Sequence, residues 1–170
     1  MDDDDRLVPD LPAHDEYLER GVLGTILAQP DRERSAALLN DLDFLTPDDF
    51  WREQHRTVYV AVRRVAHQGD GACLIGDLFG LKSPLPGMAS YELTGLVVES
   101  LDAGIVRAAA LGLADLGLER MALERYRCTT PLQVSALGVK VAARRERIAA
   151  ARSGAPAAPA YDPLAEALRG

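Results

Sequence analysis

The chain has 170 residues, of which 48% are hydrophobic, 26% charged and only 5% aromatic, and its formal net charge is −7. This length suits one domain with tails. Because Leu, Ala and Val carry most of the apolar content, packed helices are favoured over sheets. The net negative charge argues against a protein whose whole surface attracts nucleic acid. The charge is uneven, with a net −9 over residues 1–60 and a net +4 over residues 138–152.

The cysteine content and the hydropathy pattern exclude several classes of protein. Cys73 and Cys128 show no paired spacing and no nearby histidine cluster. A disulfide framework or a zinc site is therefore not expected, and a reducing cytoplasm is the default location. Four aspartates follow Met1, so we expect no signal peptide. The longest apolar stretch, residues 108–118, contains Asp115, so no membrane-spanning helix is expected.

The first two thirds of the chain read as a lead-in followed by a series of helices. Residues 1–12 are acidic and contain proline. Thr46-Pro47-Asp48-Asp49 is typical of a helix start, because Thr can cap, Pro suits the first turn and acids complement the helix dipole. Hydrophobic periodicity and breaker residues predict helices near residues 15–30, 32–42, 54–67 and 90–101, with a short segment at 74–81 and a loop at 82–87.

The last third predicts two long helices, residues 105–127 and 131–152, joined by only three residues. Such a short connection requires an antiparallel hairpin. We expect Gly112, Gly117 and Gly138 to allow close backbone approach. The predicted seam sets Val106, Leu113, Leu116 and Met121 against Val134, Leu137, Val141 and Ile148. The predicted architecture is all-α, with a lead-in (1–12), a compact helical head (13–102), the hairpin (103–152) and an Ala/Pro linker with a short C-terminal helix (153–170).

No catalytic arrangement emerges from the motifs. The sequence from Gly76 to Ser83 superficially resembles a Walker A loop, but Leu81 separates Gly80 from Lys82 and no strand precedes it. The three histidines, His14, His55 and His67, fall on separate elements without metal-ligand spacing. A G-x-S-x-G motif is absent. We therefore expect no enzymatic activity, no cofactor and no metal site.

Two sets of residues on the hairpin are candidates for binding a partner. Lys140, Arg144 and Arg147 follow i, i+4, i+7 spacing and so share one side of the last long helix. This basic stripe is interpreted either as a solvated face or as a contact for phosphate or an acidic protein surface. Ile105, Leu111 and Leu118 fall outside the internal seam and predict an additional apolar contact.

Several segments, in order, resemble the N-terminal domain of DnaB-type replicative helicases. The helix Glu19–Leu27 followed by Pro30 is similar to the opening helix of that family. The stretch from Leu45 to Tyr59, a segment near Tyr91 and the start of the hairpin resemble its later parts. The signature positions in this chain are Glu19, Leu23, Gly24, Asp49, Phe50, His55 and Arg56. In the folded domain, Phe50 and Trp51 are expected to fill the core, Asp49 to serve a helix start, and His55-Arg56 to open the next helix.

The resemblance implies an interaction role, since in such helicases this domain self-associates through its hairpin, forms a collar and receives primase. No motor domain follows here, so we expect a stand-alone module that binds replicative helicase, primase or its own copies, as a homodimer or higher oligomer. DNA contact would be indirect or weak. Two alternatives remain open: a nucleic-acid-binding protein that uses the basic face, and a truncated helicase subunit without the ATPase motor.

Overall fold

The computed structural model describes residues 14–66, 74–79 and 90–154, and over these ranges the chain is helical, with no strand. The all-α prediction is confirmed, and the helices lie close to their predicted positions. Their bounds are α1 (Glu16–Leu27), α2 (Arg32–Asp41), a 3₁₀ helix (Pro47–Asp49), α3 (Glu53–Ala66), α4 (Leu74–Phe79), α5 (Ser90–Val98), α6 (Ala103–Arg127) and α7 (Pro131–Ser153).

Polar side chains cap the starts of several helices. The Asp15 carboxylate accepts a hydrogen bond from the Leu18 amide at the start of α1. At the start of α7, Thr130 and Gln133 form a reciprocal capping box, and Pro131 occupies the first turn. These side chains satisfy amides that have no partner within the helix. At the other end of α7, Gly154 takes a left-handed conformation with φ of 68°, which glycine adopts without a steric penalty.

One hydrophobic core runs through both the head and the base of the hairpin. Its centre is α1, on which Val22, Leu23 and Ile26 are fully buried, and α1 packs against α3, α5 and α6. The N-terminal half of α6 contributes Val106 and Leu113 to the same core. The last turns of α7 also contribute to it. The base of the hairpin is therefore part of the head's core, and only the tip extends beyond it.

Helices α6 and α7 pack against each other as the predicted hairpin. In the predicted seam, Val106, Leu113, Val141 and Ile148 are buried, whereas Leu116, Met121, Val134 and Leu137 are half-buried. The expectation for the glycines was only partly correct. A Cβ on Gly117 would meet Asp49 of the 3₁₀ helix rather than α7, and a Cβ on Gly138 would meet nothing within 4 Å.

Candidate functional site

A buried ion pair joins the hairpin to the head. The Arg144 guanidinium of α7 donates to Oδ2 of Asp49, and both side chains are almost fully buried. The same carboxylate oxygen accepts from the Thr46 amide at 2.7 Å and from the Thr46 hydroxyl at 3.1 Å. Burial raises the pKa of Asp49 above its ordinary value, and the charge of Arg144 and the bonds from Thr46 oppose this rise. Asp49 is thus both a helix cap, as predicted, and an anchor for α7.

The Asp49–Arg144 pair belongs to a larger arrangement, in which arginines of α6 and α7 hold the segment between α2 and α3. Each of these arginines donates to at least one backbone carbonyl of residues 41–50, which run from the last residue of α2 to the residue after the 3₁₀ helix. We call them the arginine clamp. Its bonds run from Arg107 to Asp41 at 2.6 Å, from Arg147 to Asp43 at 2.6 Å, from Arg144 to Phe44, and from Arg120 to Asp48 at 3.1 Å and Asp49 at 2.6 Å.

The clamp corrects the prediction of an outward-facing basic stripe. Arg144 is only 6% exposed, and Arg147 is half-buried with its guanidinium on the Asp43 carbonyl. Lys140 alone of the three is exposed. The prediction of an outward-facing stripe is wrong because the side of α7 that carries Arg144 and Arg147 faces the carbonyl groups of residues 41–50. Those groups need donors once they are removed from water. Two of the three cations therefore act inside the molecule.

A second buried polar cluster fixes the start of α3 against α1. Glu19 is fully buried, and Oε1 accepts a hydrogen bond from the Trp51 amide at 2.5 Å. Its other oxygen accepts from the Arg52 amide at 3.3 Å and lies 2.6 Å from Nδ1 of His55. Because a buried carboxylate needs such partners, these bonds explain why an acid is tolerated within the apolar face of α1.

The other signature residues also have structural roles. Phe50 is fully buried and its ring lies 4.8 Å from that of Tyr59, while Arg56 donates to the Phe50 carbonyl at 2.7 Å. Leu23 is in the core. Gly24 allows α1 to approach α5, because a Cβ there would lie 2.0 Å from the Leu96 carbonyl oxygen. All seven signature positions therefore build the head and its junction with the hairpin.

Trp51 does not fill the core, contrary to the prediction. Its side chain is 39% exposed, and its ring centroid lies 5.8 Å from that of His14. Phe50 has extended backbone angles, so Phe50 and Trp51 point to opposite sides of the chain and only one of them can enter the core.

The hairpin tip exposes large apolar side chains that the sequence analysis did not single out. Tyr126 at the end of α6 is 88% exposed, and Leu132 and Val139 of α7 are 80% and 69% exposed. Next to them lies a shallow groove between the two helices, lined by Glu124, Arg127, Cys128, Thr129, Gln133, Ala136, Leu137 and Lys140. Their positions outside the predicted internal seam could have indicated this exposure, since residues outside the seam lack a partner within the hairpin.

The three apolar residues that were predicted to bind a partner have different environments. Ile105 is exposed near the start of α6. Leu111 and Leu118 are half-buried and pack against the core, so the head covers much of their surface. The unpartnered apolar surface of the hairpin is thus concentrated at its tip rather than along these three positions.

The residues considered as candidates for a phosphate loop or a metal site do not form a site in the described part of the chain. Gly76 and Asp77 lie in α4, where Asp77 forms an ion pair with Arg32. His67, Cys73 and the loop containing Lys82 lie outside the described residues, as do the lead-in, most of the linker and the predicted C-terminal helix. Among the residues described, no group of His, Cys, Asp or Glu could hold a metal ion, and no helix is long and apolar enough to span a membrane.

Comparisons with known proteins confirm the resemblance. Residues 11–73 match the family model of the DnaB-like helicase N terminal domain. The structure is also similar to the crystal structure of the N-terminal domain of DnaB helicase from Mycobacterium tuberculosis, with a TM-score of 0.55 and 26% sequence identity, over 85% of this chain and 99% of that one. Curated protein sequences gave no match. The matched region of that helicase is its N-terminal domain.

Proposed function

We propose that this DnaB N-terminal-like chain is a non-enzymatic interaction module of DNA replication, which associates through its hairpin tip with itself and with a replicative helicase or primase. The observation that carries the proposal is the exposure of Tyr126, Leu132 and Val139 at the tip of a hairpin whose base is fixed in the core. The match to a helicase N-terminal domain supports a helicase-related partner.

The free energy gained by burying the exposed apolar side chains of the tip favours association. Burying a Leu or Val side chain contributes roughly 1.5–3 kcal/mol. If two copies met tip to tip about a twofold axis, the same side chains would be buried on both copies, since a twofold interface uses the same patch on both subunits. Each side chain would then contribute twice to the stability of the dimer. The arginine clamp adds a second advantage, because a hairpin already fixed to the head loses little conformational freedom on binding.

The arginine clamp also argues against the nucleic-acid alternative. A phosphate-binding face needs several exposed cations in a row, and each contributes to the salt dependence of binding. Here Arg144 and Arg147 donate to groups of the same chain, and Lys140 is left as the exposed member of the stripe.

Light scattering on the full chain and on a tip variant tests self-association. Leu132→Glu places a charge in the proposed contact, and Val60→Glu, at an exposed apolar position on α3, is the matched control. We expect the wild-type chain and the control to associate at tens of micromolar, and Leu132→Glu to weaken association about tenfold or more, which corresponds to roughly 1.4 kcal/mol. A wild-type chain that stays monomeric contradicts self-association through the tip.

Titration calorimetry against the purified helicase and primase of the same organism tests partner binding. We expect heat of binding with one of them, and weaker binding by Leu132→Glu than by Val60→Glu. If neither protein binds at low salt, or if both variants bind equally well, then the tip is not the binding surface.

A further inference from the structure

The groove at the hairpin tip combines apolar lining residues with cations that have no ion-pair partner in the described part of the chain. Ala136 and Leu137 lie in its lining beside Arg127 and Lys140. Both cations are exposed, and neither forms an ion pair within residues 14–66, 74–79 and 90–154. Glu124 contributes the single acidic side chain of the lining, so the groove carries a net positive charge. Its chemistry therefore fits an extended segment that is acidic and partly apolar.

The chain itself contains such a segment. Residues 2–11 read Asp-Asp-Asp-Asp-Arg-Leu-Val-Pro-Asp-Leu, with five acids against one arginine. The four consecutive acids come first, and the apolar residues follow on both sides of Asp10. The groove offers the same pair of properties, with cations at Arg127 and Lys140 and small apolar side chains between the helices.

The orientation of α1 brings this segment within reach of the tip. Gly21 approaches Leu101, which precedes α6, whereas Leu18 approaches Gly112 within α6. Helix α1 therefore runs antiparallel to α6, and its N-terminus points toward the tip. From Gly112 to Arg127 the helix rises about 22 Å, at 1.5 Å per residue. The thirteen residues that precede His14 can span about 43 Å when extended, so the reach is sufficient.

We propose that residues 2–11 bind the tip groove of their own chain, with aspartates on Arg127 and Lys140 and apolar side chains on the floor at Ala136 and Leu137. A short tether gives an effective concentration near the millimolar range, so even weak contacts lead to binding. The contact is salt-sensitive, because its charges lie at the surface. This inference concerns the groove alone and holds whether or not the exposed tip residues bind a partner.

Cys128 provides a direct readout, because its side chain lines the groove. The experiment measures the alkylation rates of Cys128 and Cys73 in the full chain by peptide-resolved mass spectrometry, with Cys73 as the internal reference. The quadruple variant D2N/D3N/D4N/D5N neutralises four of the five acids without touching the described fold. We expect the alkylation rate of Cys128 in this variant to rise about fivefold, which corresponds to a loss of ~1 kcal/mol in the binding free energy of the segment. The alkylation rate of Cys73 should stay constant.

A matched pair of charge reversals tests the groove side of the contact. Lys140→Glu is expected to raise the Cys128 rate in the same way, whereas Arg64→Glu, at an exposed position on α3, is expected to leave it unchanged. High salt should reproduce the effect of the quadruple variant. Equal Cys128 rates in the wild-type chain and the quadruple variant would overturn the proposal. The rates are measured well below the protein concentration at which the tips are expected to associate. Protection of Cys128 that still increases with concentration in that range would also overturn the proposal, since a second copy would then cover the groove.

Discussion

Replacing Arg144 by Met removes the cation of the buried pair while keeping much of the side-chain volume. The Asp49 carboxylate would keep its bonds from Thr46 but would lose its charge partner, and the Phe44 carbonyl would lose a donor. Both side chains of the pair are almost completely buried, with exposures of 6% and 2%. Breaking a buried pair by removing one partner costs about 3–5 kcal/mol, because an uncompensated charge is left in the interior.

The control is Arg152→Met on the same helix, where the partner is Asp115 and the two side chains are 53% and 40% exposed. Exposed pairs contribute about 0–1 kcal/mol. Urea unfolding followed by far-UV circular dichroism gives both free energies of unfolding. Asp49→Asn combined with Arg144→Met should recover part of the loss, because the buried charge is then absent. A loss for Arg144→Met no larger than that for Arg152→Met would refute the clamp as a determinant of stability.

Two further predictions concern helix packing and a buried carboxylate, and both are checked by thermal unfolding. Gly117→Ala should destabilise the fold by about 1–3 kcal/mol, because the new Cβ would lie 2.2 Å from Oδ1 of Asp49. Gly138→Ala has open space around its Cβ and should stabilise the fold by about 0.5–1 kcal/mol. Equal effects at the two positions would contradict the packing described. Glu19→Gln should lower stability by roughly 1–3 kcal/mol, since it weakens charge-assisted bonds to two amides and to His55, and an unchanged melting temperature would show that those bonds contribute little.

Local signals in the sequence were sufficient to predict the helices. Thr46-Pro47-Asp48-Asp49 marks a helix start through chemistry that acts within one turn, and the structure has a 3₁₀ helix there whose Asp49 carboxylate accepts from the Thr46 amide. The signature residues were assigned to the core and to helix starts by resemblance. The roles of Phe50 and Asp49 agree with that assignment. Features that depend on neighbouring residues could therefore be inferred before any tertiary arrangement was known.

The role of Arg144 could not be inferred in this way. Spacing along α7 shows that Lys140, Arg144 and Arg147 share a side, but it carries no information about what that side faces. The partner, Asp49, lies 95 residues away in the sequence. An arginine at an apolar helix position and one on a solvated face look alike until the opposing surface is known. The exposed tip is a different case, because the helical period already places Leu132 and Val139 outside the predicted seam. The sequence does not show, however, whether another surface of the molecule covers them.

The arginine clamp explains how a family match confined to the head can extend to the hairpin in structure. The matched residues 11–73 include Asp49 but not its partner Arg144. Without the hairpin, the Asp49 carboxylate would lose the Arg144 guanidinium and the close packing of α6 at Gly117. The carbonyl groups of residues 41–50 would likewise lose the donors that the hairpin supplies. The hairpin therefore completes polar contacts of the head, and the structural similarity covers 85% of the chain, which is more than the head alone.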